Sequence, residues 1–330
     1  MLDVKLKPHT GNIHRQFPVH GYLGLTRCEV VGVAYTKLSD GKPLKAKELN
    51  VKLKCIEFAF GRNNILYEST QVLWSSNSPS KYTHLAEIQK DFKLKVPLNN
   101  TLPSSINLQN YRIVWKLEAN LIHENLTFVG NTKTSSVILQ LNRYSPLYKQ
   151  LTTYSQRVDQ LDYRTYFSGR QSTYKSSDNL FASINLTLLS NKISVKKLAM
   201  SLDRRVQFKA QKSSLFRSNV QLTRIVEEVV TPQLQLQQPQ SFNFKGVIPK
   251  SKSSLSWSIG ESLLTTLIDM QFFITFTALI KNSSGSTSSI ALDSKEITLL
   301  SITKEELHYA LETTSRPRSN HISSVQTIAL

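Results

Sequence analysis

Cysteine is nearly absent from this sequence. Cys28 and Cys55 are the only two in 330 residues. Two cysteines exclude a disulfide-stapled scaffold and a four-cysteine zinc site. Acidic residues are also scarce, 23 against 41 Lys and Arg, so the chain carries a net charge of +18. All charged residues together reach 19%, and the polar surface must therefore draw on Ser, Thr, Asn and Gln. The first ten residues contain no apolar run of the kind a secretory signal needs. The expectation is a reducing cytosolic setting with both thiols free. The N-x-S/T sequons at Asn99, Asn125, Asn185 and Asn282 are then chance matches.

Enzyme signatures are missing as well. The sequence has no G-x-x-x-x-G-K-[ST], no G-x-G-x-x-G and no G-x-S-x-G. Gly21-Tyr-Leu-Gly24 is too short to cradle a phosphate, and Ser172-x-x-Lys175 and Ser194-x-x-Lys197 have no companion motif. His9, His14 and His20 crowd the N-terminus, with no carboxylate or second histidine at helical spacing beside them. The expectation is a protein that is not an enzyme and needs no cofactor or metal.

What is present is period-2 alternation, the mark of strands with one face buried. From Tyr111 to Leu121 the odd positions read Tyr, Ile, Trp, Leu, Ala, Leu, and the even ones include Arg112, Lys116, Glu118 and Asn120. Phe92, Leu94 and Val96 alternate with charged residues, as do Val51, Leu53 and Cys55. Ile184, Leu186 and Leu188 share a face, and so do Leu198, Met200 and Leu202. Leu264–Ile280 has nearly the length of a membrane span. Asp269 and the alternating Thr and Gln argue for a strand, because a charged side chain at the bilayer centre costs about 2.5–3.5 kcal/mol. Helical patterns are few: Thr303–Thr313, acidic at its start, is the best, and 149–165 reads as a second short helix or a linker.

The fold class expected is all-β: two tandem antiparallel β-sandwiches of immunoglobulin-like type. The boundaries are 1–143 for the first sandwich, 144–179 for a Ser/Tyr/Gln-rich linker, 180–307 for the second, with a polar loop at 211–240, and 308–330 for a tail. An internal echo supports two related units. A strand stopped by Pro97, a polar connection and the long strand from 111 are matched by a strand stopped by Pro249 and the long strand from 264.

The residues of that echo resemble a known family. Phe92-x-Leu-x-Val-Pro97, then Leu102-Pro103-Ser104-Ser105, then Tyr111-x-Ile-x-Trp-x-Leu-x-Ala119-x-Leu is similar to the arrestin N-domain pattern. The strands expected at 45–60, 72–74, 184–189, 193–202, 247–249 and 266–280 fit the order of arrestin N- and C-domains. The likeness is strongest to the fungal arrestin-related trafficking adaptors, the alpha-arrestins. It implies a non-catalytic adaptor, cytoplasmic and peripheral at the plasma membrane or at endosome or Golgi. Such a protein binds the cytoplasmic tails of membrane transporters or receptors. It links them to a HECT-type ubiquitin ligase for ubiquitin-dependent endocytosis. The family recruits its ligase through PPxY, a proline-groove mode. This chain has none; Ser145-Pro146-Leu147-Tyr148 keeps only Pro146 and Tyr148. An arrestin-fold subunit of a stable vesicle-trafficking complex is the alternative.

The positive charge is spread evenly, +9 in residues 1–143 and +9 in the remainder. Two groups are dense. Lys192, Lys196, Lys197, Arg204, Arg205, Lys209, Lys212 and Arg217 face a single acid, Asp203. Lys42, Lys45, Lys47, Lys52 and Lys54 face only Glu48. Each is a candidate surface for an anionic membrane or an acidic partner, and each also reads as lysines guarding strand edges. A basic nucleic-acid-binding protein is the competing class. It is disfavoured because most aromatics fall on buried faces, the tyrosines between Tyr144 and Tyr174 excepted.

Overall fold

Each apolar face of an alternating strand needs a second layer to cover it. In the computed structural model of the chain, that layer is another sheet. The structure describes residues 2–8, 19–38, 44–77, 82–85, 87–98, 102–126, 130–144, 155–158, 161–167, 173–209, 220–250 and 258–315.

The first half contains β1 (Leu2–Pro8), β2 (Val19–His20), β3 (Cys28–Leu38), β4 (Leu44–Ala59), β5 (Arg62–Ser75), β6 (Thr83–Leu85), β7 (Gln89–Val96), β8 (Ile106–Asn107), β9 (Tyr111–Leu126) and β10 (Gly130–Leu139). In one sheet β3 pairs with β1, β2 and β7. The facing sheet runs β10-β9-β4-β5, with β6 on β4 and β8 on β9. The core is the odd face of β9, Tyr111 to Leu121, packed with Val51, Leu53 and Cys55 of β4 and Phe92, Leu94 and Val96 of β7. Burying one such side chain contributes about 1.5–3 kcal/mol. Trp115, fully buried, also donates from Nε1 to the Pro103 carbonyl at 3.0 Å, so its polar atom is satisfied.

The second half contains β11 (Ser155–Val158), β12 (Leu161–Phe167), β13 (Thr173–Ser176), β14 (Asn179–Leu188), β15 (Ile193–Phe208), β16 (Val220–Val230), β17 (Gln240–Val247), β18 (Leu263–Leu264), β19 (Ile268–Asn282), β20 (Thr287–Thr303) and the helix α1 (Lys304–Ser315). One sheet is β11-β12-β14-β17; the other is β13-β20-β19-β15-β16, with β18 on β19. The even positions of β19 from Ile268 to Ile280 are buried and the odd ones half-buried, as the alternation requires.

The halves share a strand order. β10-β9-β4-β5 with β8 on β9 matches β20-β19-β15-β16 with β18 on β19, and β1-β3-β7 matches β12-β14-β17. The all-β tandem-sandwich expectation holds at the level of fold class. The expected helix is also there. Thr303 and Glu306 cap it reciprocally: the Glu306 N–H donates to Thr303 Oγ1 at 3.2 Å, and the Thr303 N–H donates to the Glu306 carboxylate at 2.7 Å.

Two expectations need correction. Residues 155–158 and 161–167, read as helix or linker, are strands of the second sandwich. Their alternation is hidden because the inward residues include Tyr163 and Thr165, whose hydroxyls donate to the Leu292 carbonyl and the Asp293 carboxylate. The polar stretch 211–240 contains β16, an edge strand half-exposed on both faces, which shows no clean alternation. Of the tail from 308, residues 308–315 are helical.

Candidate functional site

The loops that precede β8 and β18 occupy equivalent places in the two halves, and they meet. In the first, the Ser105 N–H donates to the Leu141 carbonyl at 2.7 Å. Its Oγ donates to the Leu139 carbonyl at 3.2 Å and accepts from the Leu141 N–H at 3.1 Å. In the second, the Ser262 N–H donates to the Leu299 carbonyl at 2.9 Å. Its Oγ donates to the Ile297 carbonyl at 3.4 Å and accepts from the Leu299 N–H at 2.9 Å. Leu102-Pro103-Ser104-Ser105 and Ile259-Gly260-Glu261-Ser262 are thus built to one hydrogen-bonding plan.

The residue before each serine makes the junction. Glu261 accepts from the Ser104 N–H at 3.1 Å and from Ser104 Oγ at 2.6 Å. Ser301 Oγ lies 3.3 Å from the same carboxylate and 3.0 Å from Ser104 Oγ. Arg143 Nη2 stands 3.4 Å from Glu261 and donates to the Ser262 carbonyl at 3.0 Å. The side chains of Arg143 and Glu261 are 1% and 0% exposed. A buried ion pair is roughly neutral against apolar residues of equal volume, but losing one partner costs about 3–5 kcal/mol. Gly260 is required in its loop: its φ is +88°, and a Cβ would stand 2.7 Å from Met270 Sδ.

A second contact flanks this pair. The β4–β5 hairpin reaches the second sandwich through Phe60, whose ring meets Phe208 edge-on at 4.6 Å. Phe60 holds φ +47°, an uncommon conformation for a bulky side chain. Behind it lies Glu57, fully buried. It accepts from Tyr111 at 2.9 Å, from Thr266 at 3.4 Å and from Thr265 Oγ1. Burial, and then the Glu57 charge, push the Tyr111 phenol well above its usual range. Asn64 donates to Thr266 at 2.7 Å. Helix α1 adds a third tie, with Thr313 Oγ1 at 3.1 Å from Tyr22 OH, and Tyr22 edge-on to Tyr144.

Among the described residues, the first basic group does not form one patch. Lys192 and Lys196 are exposed, Lys197 lies 3.8 Å from Glu227, and Arg205 is half-buried on the outward face. Lys209 donates to the Thr265 carbonyl at 2.5 Å. Sixteen residues of strand extend about 50 Å, so the cations of β15 are strung along it. Arg204 is a correction. A bulge between Val195 and Lys197 sets the phase of β15, so that Leu198, Met200, Leu202 and Arg204 all point inward. Arg204 is 7% exposed and donates to the Ile259 carbonyl at 2.8 Å. Burial pulls its pKa down to about 10. It holds the Ile259–Ser262 loop from inside the sandwich and is no part of a surface rim. Lys212 and Arg217 lie outside the described residues.

The second group is largely neutralised, which corrects the reading that Glu48 alone opposes it. Lys45 lies 3.6 Å from Glu124, Lys52 lies 3.7 Å from Glu68, and Lys54 lies 2.9 Å from Glu118. Lys47 is half-buried. Lys42, Pro146 and Tyr148 lie outside the described residues. Of the tyrosines considered for base stacking, Tyr163 and Tyr174 are buried. Cys28 and Cys55 are free and buried, and burial pushes the Cys28 thiol up to about 12.

The junction residues Arg143, Glu261, Ser301 and Glu57 did not stand out in the sequence. A signal for part of it exists: Ser105 and Ser262 hold equivalent places ahead of the two long strands. Comparison with protein-family models and with curated proteins gives no match.

Proposed function

We propose that the chain is a non-catalytic adaptor of the arrestin-like kind. It binds cytoplasmic tails of membrane transporters or receptors and links them to a HECT-type ubiquitin ligase for ubiquitin-dependent endocytosis. The observation that carries the reading is the buried junction built from Arg143, Glu261, Ser104 and Ser301. An adaptor must hold two partners at a fixed separation, and this junction ties two binding-sized sandwiches together. Among the described residues no helix is long and apolar enough to cross a membrane. The exposed Lys192 and Lys196 supply positive charge at one end of the second sandwich, where each lysine near an anionic leaflet contributes about 1 kcal/mol.

The test is purification of the tagged chain from its native cytosol, followed by sequencing of the captured proteins. A HECT-type ligase together with a membrane transporter is the expected result. One sequence feature favours a second reading: PPxY is absent. Capture of coat or exchange-factor subunits in fixed stoichiometry, with no ligase, replaces the adaptor reading with that of a complex subunit.

A further inference from the structure

The outward face of the β10-β9-β4-β5 sheet changes character along its strands. Its far end is a lattice of charge: Lys52 beside Glu68, and Lys54 and Lys116 both on Glu118, at 2.9 and 2.8 Å. Nearer the Phe60 hairpin it turns apolar. Val114 of β9 stands opposite Ile56 of β4, which lies beside Ile65 of β5. Ile138 of β10 borders the row, beside Lys116. Ile138 is 71% exposed and Ile65 52%. Phe58 closes the row, with the Arg112 guanidinium 5.8 Å from its ring centre. Isolated exposed apolar residues are ordinary, but a contiguous set with a polar rim marks an interaction surface.

We propose that this face docks an amphipathic helix of a partner protein, apolar on the docking side and acidic along its flanks. Three observations select that occupant. With Ile138, which is level with Lys116 rather than Val114, the row spans four paired strands, whose backbone groups already serve each other. An occupant buried on such a face must satisfy its own backbone, as a helix does and a single added strand does not. The row is about 14 Å wide, three strand spacings, which about ten helical residues span with apolar side chains at i, i+3, i+4 and i+7. The charge is complementary. Lys54 and Lys116 share one carboxylate, and Arg112 pairs with no carboxylate among the described residues, so the border of the row is cationic.

The proposal rests on the adaptor reading only in taking the chain to work by docking. The test uses the full chain and a synthetic helix of about 14 residues, leucines on one face and glutamates beside them. Its controls are a scramble of the same composition, the same helix with lysine for glutamate, and phosphatidylserine–phosphatidylcholine vesicles. The acidic helix should bind, and Ile65→Glu with Ile138→Glu should weaken it by at least about tenfold. Both positions are exposed, so the melting temperature should hold; Arg112→Glu gives a second variant outside the apolar row. Equal binding of the scramble, or binding untouched by these changes, overturns the proposal. So does vesicle binding that the same changes abolish while no peptide binds. Peptide binding with no ligase or transporter captured from cytosol would sink the adaptor reading and leave this surface standing.

Discussion

β9 and β19 hold the same place in the two sandwiches, each between the strand that follows it in sequence, β10 or β20, and a 16-residue strand, β4 or β15. Their inward faces are alike: Ile113, Trp115 and Leu117 in one, Phe272, Ile274 and Phe276 in the other, all buried. Their outward faces are not. β9 presents Arg112, Lys116 and Glu118: Glu118 pairs with Lys54 of β4 and with Lys116 of its own strand, and Arg112 lies over the Phe58 ring. β19 presents Gln271, Thr275 and Thr277, beside Ala199 and Ser201 of β15, with Thr275 and Ser294 hydroxyls 3.2 Å apart. The core dictates the shared order, and the outward faces are free to diverge. Differences in binding between the halves belong there. The junction is the second asymmetry, since one plan of loop gives Ser104 on one side and Glu261 on the other.

The largest expected effect breaks that asymmetry. Arg143→Met leaves Glu261 buried without its cation and should cost about 3–5 kcal/mol in urea unfolding. The repeated plan is sharpened by Ser105→Ala and Ser262→Ala. Each leaves a backbone N–H and carbonyl unserved, so each should cost about 1–3 kcal/mol, and the two losses should be equal within about 0.5 kcal/mol. Unequal losses would mean that the two loops are alike only in geometry. Next is Phe60, at the turn between β4 and β5. Phe60→Ala loses the contact with Phe208 and keeps the unfavourable φ, whereas Phe60→Gly relieves it. Glycine should be the milder change by about 1 kcal/mol, read from thermal melts.

The smallest effect is acid dependence of the first sandwich. Burial alone would raise the Glu118 carboxyl, but hydrogen bonds from Lys116 and Lys54 outweigh it and hold it below the usual range. The Lys93 hydrogen bond does the same for Glu29. A carboxyl lowered in the folded state contributes stability above its unfolded pKa and loses it as pH falls through the folded value. Stability should therefore drop below about pH 4.5. Lys54→Met with Lys116→Met should flatten that drop by less than about 1 kcal/mol, as expected of partly exposed pairs.

Much of the fold was legible because alternation is local: the buried positions of β4, β7, β9, β14 and β19 follow directly from it. Strand β12 escaped because Tyr163 and Thr165 look polar until their hydroxyl partners on β20 are known. Arg204 carried a readable signal, since it continues the parity of Leu198, Met200 and Leu202. Charge read as a run overrode charge read by face. The lysines of β4 looked opposed by Glu48 alone because Glu68 and Glu118 reach them only through strand pairing. The Arg143–Glu261 junction depends on residues 118 positions apart and had no local pattern to announce it.

A buried pair couples two like sandwiches. A double-mutant cycle with Arg143→Met and Glu261→Met, followed by urea unfolding, tests it most directly. The double change should cost less than the sum of the singles by at least about 1 kcal/mol, because neither charge is then left alone. Costs that simply add would contradict it.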